Sequence, residues 1–218
     1  MLDTQQKLLS IYENLLSRYG RQAWWPADSP FEVMIGAILT QNTNWSNVEK
    51  ALVLLKQKIP LTAEALLSLQ TEDLEACLKP SGYFRIKAQR LQDYCRWYLE
   101  QGAYAGLDQL STDDLRERLL NVKGIGPETA DDIVLYAFNR PVFVIDAYTR
   151  RLLQRLGLIC GKKNYEYCRQ FFEAQLPKSA DLYQQYHALI VMHAKQHCRK
   201  TKPMCFSCPL QSGCLLTI

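Results

Sequence analysis

Cys198, Cys205, Cys208 and Cys214 fall in one short run, separated by six, two and five residues. In a reducing compartment, thiols grouped this way read as a metal site before they read as disulfides. The spacing alone admits a four-cysteine zinc site or an iron–sulfur centre. The other cysteines, Cys77, Cys95, Cys160 and Cys168, are scattered through helical-looking sequence and read as small buried hydrophobes. His187, His193 and His197 lie near the thiols. With four sulfurs at hand, they read as packing or hydrogen-bonding residues. A second constellation is Lys123-Gly124-Ile125-Gly126-Pro127, a glycine turn ahead of a helix. Gly124 and Gly126 are expected in backbone angles closed to other residues, and Pro127 suits the first helical position. The N–H groups bared there would dock a phosphate, although a plain turn between two helices has the same pattern. Asp146 ends the apolar run Val142-Phe143-Val144-Ile145 and opens a helix. It reads as an N-cap and, equally, as a carboxylate kept ionised for electrostatic catalysis.

The elements that must position these groups are helices. Leu8, Leu9, Tyr12, Leu15 and Leu16 recur at helical spacing, as do Val33, Met34, Ala37 and Ile38, and Val48, Ala51, Leu52 and Leu55. Leu115, Leu119 and Leu120 share one face of 112–120, and Ile133, Val134, Ala137 and Phe138 one face of 129–138. Asp131 and Asp132 are expected to face solvent. The segment Pro141–Ile145 reads as an extended linker. Turn residues cluster at 26–30, 59–62, 79–82, 102–106, 123–127, 139–141 and 157–164. The pattern predicts an all-α chain of about ten helices.

These residues resemble the endonuclease III superfamily of DNA glycosylases. The resemblance rests on Leu119-x-x-Val122-Lys123-Gly124-Ile125-Gly126-x-x-Thr129-Ala130, on Val144-Ile145-Asp146 about twenty residues further on, and on the four-cysteine spacing. Leu39-Thr40-Gln41-Asn42-Thr43 and Gly82-x-x-x-x-Lys87-Ala88 add to it. It implies a two-lobed fold: a six-helix barrel over 26–134 that ends in the helix-hairpin-helix, and a second lobe of 1–25 with 135–218 carrying an iron–sulfur loop at 198–214. DNA and a base pocket would lie in the groove between the lobes. The implied partner is double-stranded DNA with a damaged base, which is extruded and cut at its N-glycosidic bond. Asp146 would stabilise the cationic sugar or activate water. Gln41 would fill the gap left in the stack, its plainer reading being a polar residue at a helix end. Among the metals the resemblance favours [4Fe–4S] on Cys198, Cys205, Cys208 and Cys214. The cluster would hold Arg199, Lys200 and Lys202, with Lys195 upstream, against phosphates. A solvated basic tail is the alternative. Lys123, Gly124, Ile125 and Gly126 would form the hairpin's contact with DNA.

Two departures refine the expectation. Bifunctional members carry a hairpin lysine that attacks the sugar, where this chain has Glu128. A carboxylate cannot form a Schiff base, so the enzyme is expected to be monofunctional, without a lyase step. The second departure is aromatic. Trp24-Trp25-Pro26 and Trp45 read either as core residues or as an aromatic slot for a cationic base. With Pro80-Ser81-Gly82 they resemble the 3-methyladenine DNA glycosylase III subfamily, which implies alkylated purines as substrates. The rival substrates are oxidised pyrimidines or a mispaired base. A rival of another class is a sensor of distorted DNA without chemistry.

Composition bounds these readings. The chain has 218 residues, 48% hydrophobic, with a net charge of +4. That charge permits nucleic-acid binding without demanding it. No apolar run approaches the ~18 residues of a membrane span, so no membrane partner is expected. The N-terminus reads as lacking a signal peptide, which places the protein in the cytoplasm, on the nucleoid. A monomer is expected.

Overall fold

The computed structural model describes residues 3–216, and among them none forms a strand. Twelve α-helices follow in order. They are α1 (Thr4–Tyr19), α2 (Pro30–Leu39), α3 (Trp45–Lys58), α4 (Ala63–Ser68), α5 (Thr71–Leu78) and α6 (Phe84–Glu100). After these come α7 (Ala103–Asp108), α8 (Thr112–Leu120), α9 (Pro127–Asp132), α10 (Ala147–Arg155), α11 (Tyr165–Gln175) and α12 (Ala180–Gln196). No described helix is long and apolar enough to cross a membrane. The chain divides into two compact units, Ala27–Phe138 and the pair of segments Met1–Pro26 and Asn139–Ile218.

Helix starts follow side-chain capping. Asp3, Ser29, Asn44, Thr62, Ser111, Asp146, Asn164 and Ser179 each accept a hydrogen bond from the backbone N–H three residues on. Each such cap satisfies a donor that the helix leaves orphaned.

In the 27–138 unit, α2 is the central element. All of its residues after Pro30 are buried, as its apolar composition on every face requires. Helices α3, α6 and α9 pack on it. The predicted regular helix over 129–138 instead runs as α9 and then as a π-helical segment, Ile133–Ala137, which also packs on α2. The wider π turn explains the break in helical register. Asp131 and Asp132 do not face solvent, at 0% and 8% exposure. Helix α8 also packs against α9, and its Arg116 grips Asp131 through two hydrogen bonds of 2.5 and 3.2 Å. A partner donated by a distant helix makes burial of the acid tolerable.

In the other unit, α1 and α10 pack on α12. Tyr183, Tyr186, Leu189 and Ile190 of α12 are buried there. The linker ahead of α10 belongs to no helix or strand, and Val142, Phe143, Val144 and Ile145 are all buried. Phe143 stacks on Phe172 with 4.0 Å between centroids and meets Tyr183 and Tyr186 edge-on. Its N–H donates to Glu173 Oε1 at 2.9 Å, and the N–H of Ile145 to the Tyr165 hydroxyl at 3.2 Å. The backbone that delivers Asp146 is thus fixed by aromatic packing and by two bonds to side chains.

Candidate functional site

Asp146 is the N-cap of α10. Its Oδ1 accepts from the Thr149 N–H at 2.7 Å, and its Oδ2 lies 3.5 Å from His187 Nε2 on α12. Burial alone would raise its pKa. The pairing with His187 first, and then the Thr149 contacts, outweigh that and hold the carboxyl below its ordinary value. The side chain keeps 13% exposure. The arrangement is an ionised carboxylate in a dry setting, where its field is strongest.

Trp24 lies edge-on to His187 at 6.5 Å, and the exposed ammonium of Lys195 stands 5.7 Å over the Trp24 ring. Asp146, His187, Trp24 and Lys195 therefore form one neighbourhood. Trp24, Trp25 and Trp45 are half-buried and Pro26 is exposed. Trp25 sits in the left-handed region at φ 61°, rare for so large a residue. Trp24–Pro26 and Trp45 belong to different units.

The hairpin joins α8 to α9. Gly124 takes φ 89°, and a Cβ there would stand 2.8 Å from Arg90 Nε. Gly126 does not share this need. Its φ is −94° and the space around it is open. Val122 and Ile125 are buried and anchor the turn, and the Ile125 N–H is spent on the Val122 carbonyl. Lys123, Gly126 and Glu128 are exposed.

Gln41 follows α2 and precedes Asn42, which is left-handed at φ 55°. Its Nε2 donates to the Gly124 carbonyl and to Thr129 Oγ1, both at 3.0 Å, while Arg90 Nη1 donates to its Oε1. Lys87 explains the Gly82–Lys87–Ala88 motif. It is buried, and its Nζ donates to the carbonyls of Leu39 and Ser81 at 2.9 and 2.6 Å. Burial first, and the Arg90 charge second, push its pKa down to about 8.

The four clustered cysteines line one small cavity with Leu152, Leu156, Leu210 and His193. Arg155 donates to Cys198 Sγ at 3.2 Å and the Leu210 N–H to Cys208 Sγ at 3.4 Å. Burial, and then the facing thiols Cys198, Cys214 and Cys205, push the Cys208 thiol up against the lowering effect of the Leu210 N–H. Among the described residues, no three ligating side chains are gathered around a single ion. Four sulfur donors around an apolar cavity, two of them receiving N–H bonds, nevertheless suit a thiolate-bound metal group. Arg199, Lys200 and Lys202 are exposed around this loop. His193 and His197 both meet the Tyr19 hydroxyl through Nδ1, at 3.1 and 2.7 Å. Burial first, then the charges of His197 and Arg151, lower the His193 pKa to about 4. Among the scattered cysteines, Cys77, Cys95 and Cys168 are buried as expected, but Cys160 is exposed, in the turn after α10.

Arg90 and Arg155 were not legible as site residues. Arg155 bonds Cys198 Sγ and the Arg199 carbonyl, and Arg151 bonds the Cys198 carbonyl. The available signal was a basic stripe along α10, which also suits phosphate contact.

Residues 35–178 match the HhH-GPD superfamily base excision DNA repair protein family. A protein of Methanocaldococcus jannaschii, provisionally named a DNA repair glycosylase, is 42% identical over 96% of both chains. Endonuclease III of Thermotoga maritima is 30% identical, covering 85% of this chain and 82% of its own. A non-covalent Endonuclease III–DNA complex superposes with a TM-score of 0.84 at 23% identity, over 98% of this chain and 96% of that one, which shows the fold. A Helicobacter pylori 3-methyladenine DNA glycosylase bound to 1,N6-ethenoadenine reaches a TM-score of 0.75 at 32% identity, over 89% of this chain and 98% of that one. The expectation of an alkylated-purine enzyme is overturned. The curated relatives from Thermotoga maritima, Bacillus subtilis and others carry the name Endonuclease III, and the Endonuclease III fold is matched more fully. The fold is all-α and endonuclease III-like, with a helix-hairpin-helix, and the chain belongs to the HhH-GPD superfamily of base excision DNA repair proteins as a DNA N-glycosylase.

Proposed function

We propose that the protein excises oxidised pyrimidines, or mispaired bases, from double-stranded DNA by hydrolysis. The relatives named Endonuclease III support this substrate class. The observation that carries the chemistry is the depressed carboxyl of Asp146, fixed by α10 and His187. As the C1′–N bond breaks, the base leaves with the bonding electron pair and positive charge grows on the sugar. A fixed carboxylate stabilises that charge, water adds its oxygen to C1′, and the one proton this water loses goes to the departing base. Gln41 fills the vacated place in the stack. Lys123 and the hairpin, with Lys195, Arg199, Lys200 and Lys202, contact phosphates. Glu128 occupies the position where a lysine nucleophile would stand, so the reaction stops at the abasic site.

Cys198, Cys205, Cys208 and Cys214 would hold a [4Fe–4S] cluster. When bound, it supplies a cross-link that fixes the loop carrying the basic residues. The test is a panel of duplexes holding oxidised pyrimidines, mismatches and alkylated purines, with alkali added only after the reaction. Release from the pyrimidine lesions, with strand breaks only after alkali, is expected. No release from any pyrimidine lesion or mismatch overturns the substrate reading, and a borohydride-trapped adduct overturns hydrolysis.

A further inference from the structure

In the 27–138 unit, α6 grips the end of α2 and the segment after it at one point each. Lys87 and Arg90 stand three residues apart on one helical face. Lys87 holds the Leu39 carbonyl, and Arg90 donates to the Gln41 amide oxygen. The other end of that amide donates to the Gly124 carbonyl and to Thr129 Oγ1. Both polar ends of Gln41 are therefore spent on protein. The Arg90 stem crosses the Cα of Gly124, where any Cβ would stand 2.8 to 3.0 Å from its Nε, Cδ and Cγ. This contact gives Gly124 a role besides its left-handed φ: it makes room for the arginine that reaches Gln41.

An amide bonded this way cannot also bond a base inside a duplex. We propose that Arg90 is a positioning residue that stows Gln41 against the hairpin in the DNA-free protein, and that Gln41 is released when the hairpin docks. The inference rests on the reading of Gln41 as the residue that fills the stack. Its sign follows from a cycle. A bond present only in the stowed state opposes insertion, so removing it favours insertion. The cost of release is met at a damaged site, where the stack is already weak, and is not met on sound DNA. Arg90 is thereby a residue for discrimination.

The experiment uses a duplex with 2-aminopurine facing the scanned base, in damaged and undamaged forms, with Arg90→Met, Thr129→Val and Gln41→Ala. Arg90→Met keeps an apolar stem over Gly124 and removes the donor. It should brighten 2-aminopurine on undamaged DNA about tenfold and cut the damaged-to-undamaged ratio by the same factor. Thr129→Val, which leaves Arg90 in place, should act in the same direction by about threefold. Arg90→Lys, which keeps a cationic donor, should restore much of the ratio. Thermal melts confirm that each variant is folded. Unchanged or dimmer signals for both folded variants overturn the proposal. If Gln41→Ala abolishes the brightening while Arg90→Met does nothing, the latch alone fails. If Gln41→Ala brightens like the unaltered protein, the stack-filling reading fails and takes the latch with it.

Discussion

At the scale of the residue, Asp146 carries two loads that substitution can separate. Its Oδ1 caps α10, and in the proposed reaction its charge faces the developing cation. Asparagine caps about as well as aspartate, so Asp146→Asn should lose only the stability that the charge itself contributes while kcat falls by about 10²–10³. Asp146→Ala should lose the same rate and also about 1 kcal/mol of stability. Single-turnover base release and thermal melts check both. The pH dependence has a fixed sign. A carboxyl whose folded pKa lies below its unfolded one stabilises the protein above the unfolded value, and the effect is lost as pH falls through the folded value. Asp146 was legible because the pattern that marks an N-cap also marks a carboxylate held ionised. Arg90 was not, because its partner Gln41 lies 49 positions away and nothing local distinguishes it from other helical arginines. The Gly-x-Gly pair was half legible. The pattern marks a tight turn but says neither that only Gly124 is left-handed nor that the Arg90 side chain, from another helix, lies against it.

At the scale of the element, the end of α2 depends on a buried lysine. The Leu39 carbonyl has no partner within its own helix, and Lys87 Nζ supplies one. The neutral amine keeps two hydrogens for the two carbonyls it meets, so deprotonation removes the charge penalty and spares the bonds. The Lys87 pKa is about 8 in the folded protein, against ~10.4 in the unfolded chain, so between those values the unfolded chain binds more protons. Stability from this group therefore rises with pH across that window. Lys87→Met has no such titration. The stability difference between the unaltered protein and Lys87→Met should shift in favour of lysine from about pH 8 to about pH 10. Denaturant melts at stepped pH measure it, and a flat difference defeats the argument. Periodicity made the helices themselves legible, α8 over 112–120 included. It could not show the π turn at Ile133–Ala137, because apolar spacing of three and four residues tolerates one wide turn. Nor could it show that Asp131 turns inward, since its partner Arg116 comes from α8.

At the scale of the whole molecule, charge is unevenly placed. The net charge is only +4, yet no acid occurs after Asp181 while Lys195, Arg199, Lys200 and Lys202 do. Helix α10 connects this basic stretch to Asp146 within its own unit. Asp146 caps its start, and at its end the Arg155 side chain holds Cys198 Sγ and the Arg199 carbonyl, while the Arg155 carbonyl accepts the Leu215 N–H at 2.7 Å. The tie acts on the loop more than on the carboxylate, because Asp146 is independently fixed by Thr149 and His187. Cys208→Ala should therefore free the loop and leave the carboxylate in place. DNA affinity should fall, and the slope of log affinity against log salt should become shallower by ~0.9 for each phosphate that the loop ceases to neutralise. KM should rise severalfold, with kcat at saturating DNA changed less than about twofold. Binding titrations across a salt series, paired with single-turnover rates and iron content, separate these effects. Equal losses in kcat and affinity would show instead that the loop's order reaches through α10 to the carboxylate.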